Sequence, residues 1–293
     1  MITLFARQCV RYLFFPLLLI VAVGVNLALL SRFEVKDFPL ITAMISFASI
    51  PIVIAAEYFL PYRKGWLKSH GDFWADFLHT AFTIPTIVRA VEVFITSALL
   101  GVSIWLRNRW AHEFWPTDWP LLLQFTLAVV IAEFGFYWVH RLCHEFPTLW
   151  KMHSVHHGSL RVYWLNSGKF HPLEHLATVP AMIAPLVLLG TPPEVMSLVW
   201  TFNSVHGFLE HANVNYEIGP LNFIFNSAQL HRWHHSQIVA ESNQNYAKTL
   251  IIWDALFGTR FLPKNREVET LGVTGKISVP QTYFAQLWHP FKS

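Results

Sequence analysis

The chain has 293 residues, of which 54% are hydrophobic, 16% aromatic and only 13% charged. Soluble domains carry roughly 25% charged residues, so the deficit argues against a soluble enzyme and for a chain that lies largely in lipid. A formal net charge of +3 gives no nucleic-acid footprint. The two cysteines, Cys9 and Cys143, form no C-x-x-C pair, which points to a reducing compartment. Histidine is the anomaly, with 16 in a chain that carries 18 acidic residues.

Arg7 and Arg11 precede an uncharged apolar run, Tyr12 to Leu30, close to the ~20 residues needed to cross ~30 Å of hydrocarbon. A secretory signal usually has an apolar core of only about 7 to 15 residues, so the run is read as a retained span. Phe38 to Ala56 is a second uncharged run; it contains Pro39 and Pro51, which membrane helices tolerate. The loop that follows mixes Arg63, Lys64 and Lys68 with Trp66, Phe73 and Trp74, the composition of a cytoplasmic interface. Leu78 to Leu106 is apolar apart from Arg89 and Glu92. A charge at mid-bilayer costs about 2.5–3.5 kcal/mol, but this pair is spaced to neutralise itself on one helix face. The segment is a span, or an interfacial helix followed by one. Arg107, Arg109, Glu113 and Asp118 form a mixed-charge loop, and Trp119 to Val139 is the last clear span.

If two spans separate Arg7 and Arg11 from Arg63, Lys64 and Lys68, all five lie on one side, and two more spans return the chain there at His140. The positive-inside rule then makes that side cytosolic. Glu133, Tyr137, His140 and His144 are four, three and four residues apart, so all four share one helix stripe. Glu133 is expected to accept a hydrogen bond from the free ring N–H of a metal ligand, or to meet water at the interface.

His140-Arg-Leu-Cys-His144 is followed by His153-Ser-Val-His156-His157, and later by His231-Arg-Trp-His234-His235, with His206 and His211 between. Residues three and four apart lie on one helix face, so each cluster aims its imidazoles the same way. Ten histidines are too many for one tetrahedral zinc and suit two metal ions. Between the clusters, Leu176 to Leu189 is apolar over 14 residues and Gly190-Thr-Pro-Pro193 precedes Glu194 to Phe202. Neither half is long enough to span, so a re-entrant hairpin turning at the Gly/Pro break is expected. The expected organisation is N-terminal spans over 1–118, a histidine-bearing region over 119–262 and a polar tail over 263–293, all in one structural domain. The fold class is all-α: a multi-span helical membrane protein with a cytosolic histidine-rich helical cap.

HX3H, HX2HH and a later HX2HH on a multi-span chain resemble the fatty acid hydroxylase and sterol desaturase superfamily of membrane di-iron oxygenases. The resemblance covers roughly Glu133 to Thr259, from Tyr137-Trp138-Val-His140-Arg141 to Asn245-Tyr246 and Trp253-Asp254-Ala-Leu-Phe257-Gly258-Thr259. It implies His140, His144, His153, His156, His157, His231, His234 and His235 as ligands, with His206 and His211 as further ligands and Asn245 as a residue that orders the site. Glu133 stands where members often have Asp. The resemblance also implies two iron ions, O2 as co-substrate, a membrane lipid substrate, and hydroxylation or desaturation driven by a separate electron donor of cytochrome b5 or ferredoxin type.

Two rival readings remain. His171-Pro-Leu-Glu174-His175 has the H-x-x-E-H form of a zinc peptidase, with Pro172 acceptable only at a helix start; otherwise these three residues line the entrance, support a ligand or cap a helix. The second rival is a non-enzymatic metal carrier or a membrane haem protein with paired histidines.

Overall fold

A computed structural model of the chain describes residues 2–111, 114–274 and 278–292; Glu113 of the mixed-charge loop lies outside them. The longer helices are α1 (Ile2–Leu30), α2 (Phe38–Phe59), α3 (Phe73–Leu78), α4 (Arg89–Trp110), α5 (Leu121–Glu145), α6 (Pro147–His157), α7 (Pro172–Leu189) and α8 (Pro193–Glu210). Short helices follow: α9 (Ala228–His234), α10 (Val239–Ser242), α11 (Ile252–Phe257) and α12 (Tyr283–Trp288). A π-helical stretch, His79–Val88, joins α3 to α4 in one continuous helix. The described residues form no strand, only isolated bridges such as Pro61 with Val214. The all-helical expectation therefore holds.

Among the described residues, five helices are long and apolar enough to cross a membrane: Leu4–Leu30, Val35–Phe59, Phe73–Trp110, Leu121–Glu145 and Pro172–Leu189. A helix satisfies its own backbone polar groups, which lipid cannot do, and the outward faces carry Leu17, Ile20, Met44, Phe47, Phe94 and Leu100. Arg89 and Glu92 pair at 2.7 Å on an exposed face, as their spacing requires.

The Gly/Pro break turns the expected hairpin, but its first arm, Pro172–Leu189, is long and apolar enough to span, where neither half was expected to be. Its arms α7 and α8 have 18 residues each, about 27 Å of helix, because α7 begins at Pro172 and α8 runs on to Glu210. α7 packs on α4 and α5, and α8 on α1, α2 and α5.

The helices pair antiparallel. At one end Leu30, Phe38 and Leu198 cluster, and Ser103 Oγ donates to the Leu188 carbonyl at 3.2 Å. At the other end Arg11 pairs with Glu217, and the Tyr62 N–H meets the Asn213 carbonyl at 3.0 Å. The basic residues at Arg11 and Arg63 thus share an end with the histidines, as the span parity demanded. Within the bundle, Asn26 donates to Ser197 Oγ at 3.2 Å and also bonds Thr201, polar contacts that join helices where lipid offers no hydrophobic driving force. Gly135 lets α5 approach α7 so closely that a Cβ there would lie 2.0 Å from the Ala181 carbonyl oxygen.

The tail belongs to the same body. Val268 and Leu271 are buried with Trp66, Val162 and Trp233, and α12 sits on the π-helical stretch through Tyr283–Thr83 (3.0 Å) and Gln286–His79 (2.9 Å).

Candidate metal centre

The end of the bundle that holds the basic residues is closed by short helices bearing the imidazoles. His140 and His144 come from the last turns of α5, the 153–157 cluster from the end of α6, His211 from the C-cap of α8, and the last cluster from α9 and its C-cap. Nine rings gather into two groups: His140, His144, His153, His157 and His234 in one, and His156, His211, His231 and His235 in the other. Within each group the ligand atoms lie within 4.8 Å of one another. Each HX2HH helix serves both groups. The i,i+4 pair, His153 with His157 or His231 with His235, turns one way, and the histidine between them turns the other.

The ring nitrogens point in a consistent sense. In the first group the Nε2–Nε2 distances are 2.9 Å (His140–His153), 3.0 Å (His140–His234) and 3.1 Å (His157–His234). In the second they are 2.9 Å (His231–His235), 3.0 Å (His211–His231) and 3.4 Å (His156–His211). The Nδ1 atoms face outward: His140 to the Tyr246 carbonyl at 2.5 Å, His234 to the Gln244 carbonyl at 2.8 Å, His156 to the Lys169 carbonyl at 3.0 Å and His211 to the Gly207 carbonyl at 3.1 Å. A neutral imidazole has one ring proton, and a carbonyl can only accept, so those four rings carry the proton on Nδ1. Their Nε2 atoms are bare and face one another. Lone pairs about 3 Å apart repel unless a cation lies between them, and two nitrogens each about 2.1 Å from a common ion are about 3.0 Å apart when cis. The buried Nε2 of His144 has no hydrogen-bond partner. The donor set therefore fits two metal ions.

Carboxylates stand one layer out. Glu174 accepts from His153 Nδ1 at 2.9 Å, and Glu210 lies 3.0 Å from His231 Nδ1 while accepting from Asn226 at 2.8 Å. Asn243 Oδ1 is 3.1 Å from His144 Nδ1. Such partners fix ring orientation and raise ligand basicity. Burial first, then the neighbouring imidazoles, holds His156, His157, His231, His234 and His235 well below the usual histidine range. Burial pushes His211 down to about 3. The rings are thus neutral, the form that binds metal.

The structure corrects several expectations. Glu133 does not accept from an imidazole; it takes the backbone N–H groups of Lys248 (2.6 Å) and Thr249 (2.8 Å) and the Thr249 hydroxyl. Tyr137 bonds Thr259 at 3.0 Å rather than a ligand. Both tie α5 to the 246–259 segment, because that segment's free N–H and hydroxyl groups are what reach the stripe. His206 joins neither group; it is buried among Phe15, Phe202 and Phe225, and neither ring nitrogen has a partner. The H-x-x-E-H residues do not converge. His171 caps α7, accepting from the Leu173 N–H at 3.2 Å with Nε2 at the Leu287 carbonyl, Glu174 serves His153, and His175 packs beside Phe170. Nor do groups of five and four crowded nitrogens leave a slot for a porphyrin plane.

Asn245 braces the chain beside these rings. Left-handed at φ 54°, its amide donates to the Leu230 carbonyl (3.0 Å) and the Phe261 carbonyl (2.7 Å) and accepts the Phe261 N–H. This holds the Gln244 and Tyr246 carbonyls on either side of it. Asp254 completes the clamp by accepting the Tyr246 and Ala247 N–H groups, both at 2.8 Å. Glu210 and Asp254 were not singled out from the sequence as site residues, although Glu210 adjoins His211 and Asp254 lies in the closing motif.

A cavity of about 20 Å³ touches both groups, with Phe136, Phe170, Gly207 and Ala247 among its walls beside His140 and His156. Ser167, Glu210 and Lys248 complete its wall.

Comparison with known proteins gives a consistent result. The fatty acid hydroxylase family profile matches residues 125–259. The chain is 38% identical to the ornithine lipid hydroxylase of Rhizobium tropici, over 83% of this chain and 73% of that protein. It is 32% identical to human alkylglycerol monooxygenase over 72% of this chain and 46% of that protein. A probable Delta(7)-sterol 5(6)-desaturase of Neurospora crassa is 26% identical over 76% of this chain and 61% of that protein. This chain thus spans about half the length of the human relative. No solved structure matches it.

Proposed function

The chain belongs to the fatty acid hydroxylase and sterol desaturase superfamily, and on that premise we propose that it is a membrane-bound di-iron oxygenase using O2 to hydroxylate a lipid C–H bond. One observation carries the reading: two adjacent groups of imidazoles, eight of the nine buried, whose Nε2 atoms turn inward toward one another. Two iron ions held there supply the reduction of O2 and an oxidant able to take hydrogen from an unactivated C–H bond.

The chain's own residues do the rest. The carbonyls of Lys169, Gly207, Gln244 and Tyr246 fix the rings, and Phe136 and Phe170 put apolar surface beside them, the kind of wall that keeps water from a reacting centre. The substrate is a membrane lipid that reaches the cavity from the bilayer between the spans. Among fatty acyl, sterol, ether-lipid and ornithine-lipid substrates, an ornithine-bearing lipid is the first choice, because the Rhizobium protein matches over most of both chains. Hydroxylation is preferred; desaturation begins by removing the same hydrogen. Electrons come from a separate carrier of cytochrome b5 or ferredoxin type. The basic residues at the histidine end, Arg7, Arg11, Arg63, Lys64 and Lys68, support a cytosolic site, in a bacterial inner membrane or the endoplasmic reticulum.

Lipid mass spectrometry of cells with and without the protein tests the reading. The expected product is a lipid that gains one oxygen atom, or loses two hydrogens if the reaction is desaturation. An unchanged lipidome in cells shown to contain the iron-loaded protein refutes it.

A further inference from the structure

Of the nine grouped imidazoles, only His144 is part-exposed; the other eight are buried. Its ring lies 5.0 Å from Trp150, which is itself part-exposed and is 5.2 Å from His157 and 6.1 Å from His153. One indole thus touches three rings of a single metal group and reaches the surface. One turn before it, Phe146 is 54% exposed and is flanked by the Arg141–Glu145 ion pair at 2.7 Å. The pair lies in the last turns of α5, at the end of the bundle that also holds the Arg11–Glu217 pair. Phe136, on the cavity wall, precedes His144 by two turns of α5, about 12 Å along the axis. The centre therefore has two sides: the cavity toward the bundle and an aromatic edge two turns of α5 away from it.

We propose that this edge, with Trp150 and Phe146 at its centre and Arg141 and Glu145 at its rim, is the docking surface for the reduced one-electron carrier protein. The inference rests on the oxygenase reading. An aromatic centre inside a charged rim is the anatomy of a protein interface, and electron-transfer encounters are at the small end of interface size. Two encounters deliver two electrons. With two protons they reduce one atom of O2 to water while the other enters the C–H bond, and two carrier molecules are oxidised. A lipid has no need of this edge, since its route is from the opposite side.

The test uses the full chain in nanodiscs, with a reduced [2Fe–2S] ferredoxin and a soluble cytochrome b5 domain as probes, and reduced methyl viologen as a reductant that needs no docking. Phe146→Glu is expected to weaken carrier binding, measured directly, and to raise the carrier concentration for half-maximal turnover about tenfold, equivalent to about 1.4 kcal/mol. Iron content and viologen-driven turnover stay at wild-type level. Trp150→Leu is expected to slow the rate at saturating carrier, and Trp150→Phe to restore part of it. Unchanged carrier binding by Phe146→Glu, an equal fall with viologen, or a raised lipid KM in place of a raised carrier KM overturns the surface. So does a wild-type protein that binds neither carrier. Failure of the wild type to oxidise any lipid with viologen overturns the oxygenase reading instead, and carrier binding, read separately, keeps the two results apart.

Discussion

Replacing Glu174 by Gln separates the two chemistries that its motif could serve. In a hydrolase the carboxylate is the base, and its loss removes the reaction. In this structure Glu174 accepts the His153 Nδ1 proton at 2.9 Å, with both side chains buried. Gln keeps an oxygen in the same reach and removes only the charge. A hydrogen bond to a charged group contributes about 1.5–3 kcal/mol and a neutral one about 0.5–1.5 kcal/mol, so the substitution weakens the bond by about 1–1.5 kcal/mol. The second carboxylate oxygen has no partner, and an amide N–H2 placed there has no acceptor, which adds about 1 kcal/mol or more. Together these give a roughly ten- to hundredfold loss of metal affinity in the His153 group, within the range for groups that support a ligand.

The assay has two parts. Chelator competition with metal counted per chain reads affinity, and lipid oxidation in excess metal reads chemistry. Glu174→Gln is expected to bind metal more weakly and to turn over near the wild-type rate once loaded. Glu174→Ala, which removes the acceptor altogether, loses more affinity than Gln. A fully loaded Glu174→Gln whose rate falls roughly hundredfold or more, the size of effect of a lost general base, would refute the supporting role and return Glu174 to the reacting atoms.

Three further outcomes follow from the geometry. His156→Ala and His234→Ala each remove a ring from a different group; both are expected to abolish turnover while the protein still inserts in the membrane, and near-normal activity would strike that residue from the ligand set. His206→Phe fills the Phe15–Phe202–Phe225 cage with a ring that needs no hydrogen bond, so metal content should be unchanged and the thermal midpoint equal or higher; loss of a metal ion would make His206 a ligand after all. The metal-free protein should lose stability as pH falls. His156, His157, His211, His231, His234 and His235 have folded pKa values below the usual 6.5, so below about pH 6.5 the unfolded chain takes up protons that the folded chain refuses. Each ring then contributes about 1.4 kcal/mol per pH unit, down to its folded value, about 3 for His211. Unfolding midpoints in detergent that stay flat between about pH 6 and 4 would contradict the buried, neutral rings.

The spacing of the histidines made the metal centre legible, because i,i+3 and i,i+4 positions share a helix face whatever the tertiary fold. It could not show which ring goes where. His156 and His157 are neighbours in sequence but about 100° apart around a helix, and the structure sends them to different groups. The spans were legible from uncharged runs, although α7 extends to Pro172 through residues too polar to count as part of the run. Glu133 was singled out for the right stripe and the wrong partner. The donors to its carboxylate include the backbone N–H groups of 248 and 249, and a backbone group leaves no mark on a sequence. The four carbonyls that set the tautomers were hidden for the same reason.

That division of labour explains where the acids went. A metal site in lipid could have been built from carboxylates, but each would cancel part of the ion's charge. In this chain Glu133 and Asp254 instead bind the N–H groups of 246–249, which aims the Tyr246 carbonyl at His140 and, through the turn held by Asn245, the Gln244 carbonyl at His234. Glu174 and Glu210 stand behind His153 and His231. The negative charge sits one layer away from every bare nitrogen, so an ion in either group meets neutral donors and keeps its full charge toward whatever enters the cavity. Because α6 and α9 each place rings in both groups, a shift of either helix would disturb both groups together, and the clamp on 244–249 is what holds α9 in register with α5.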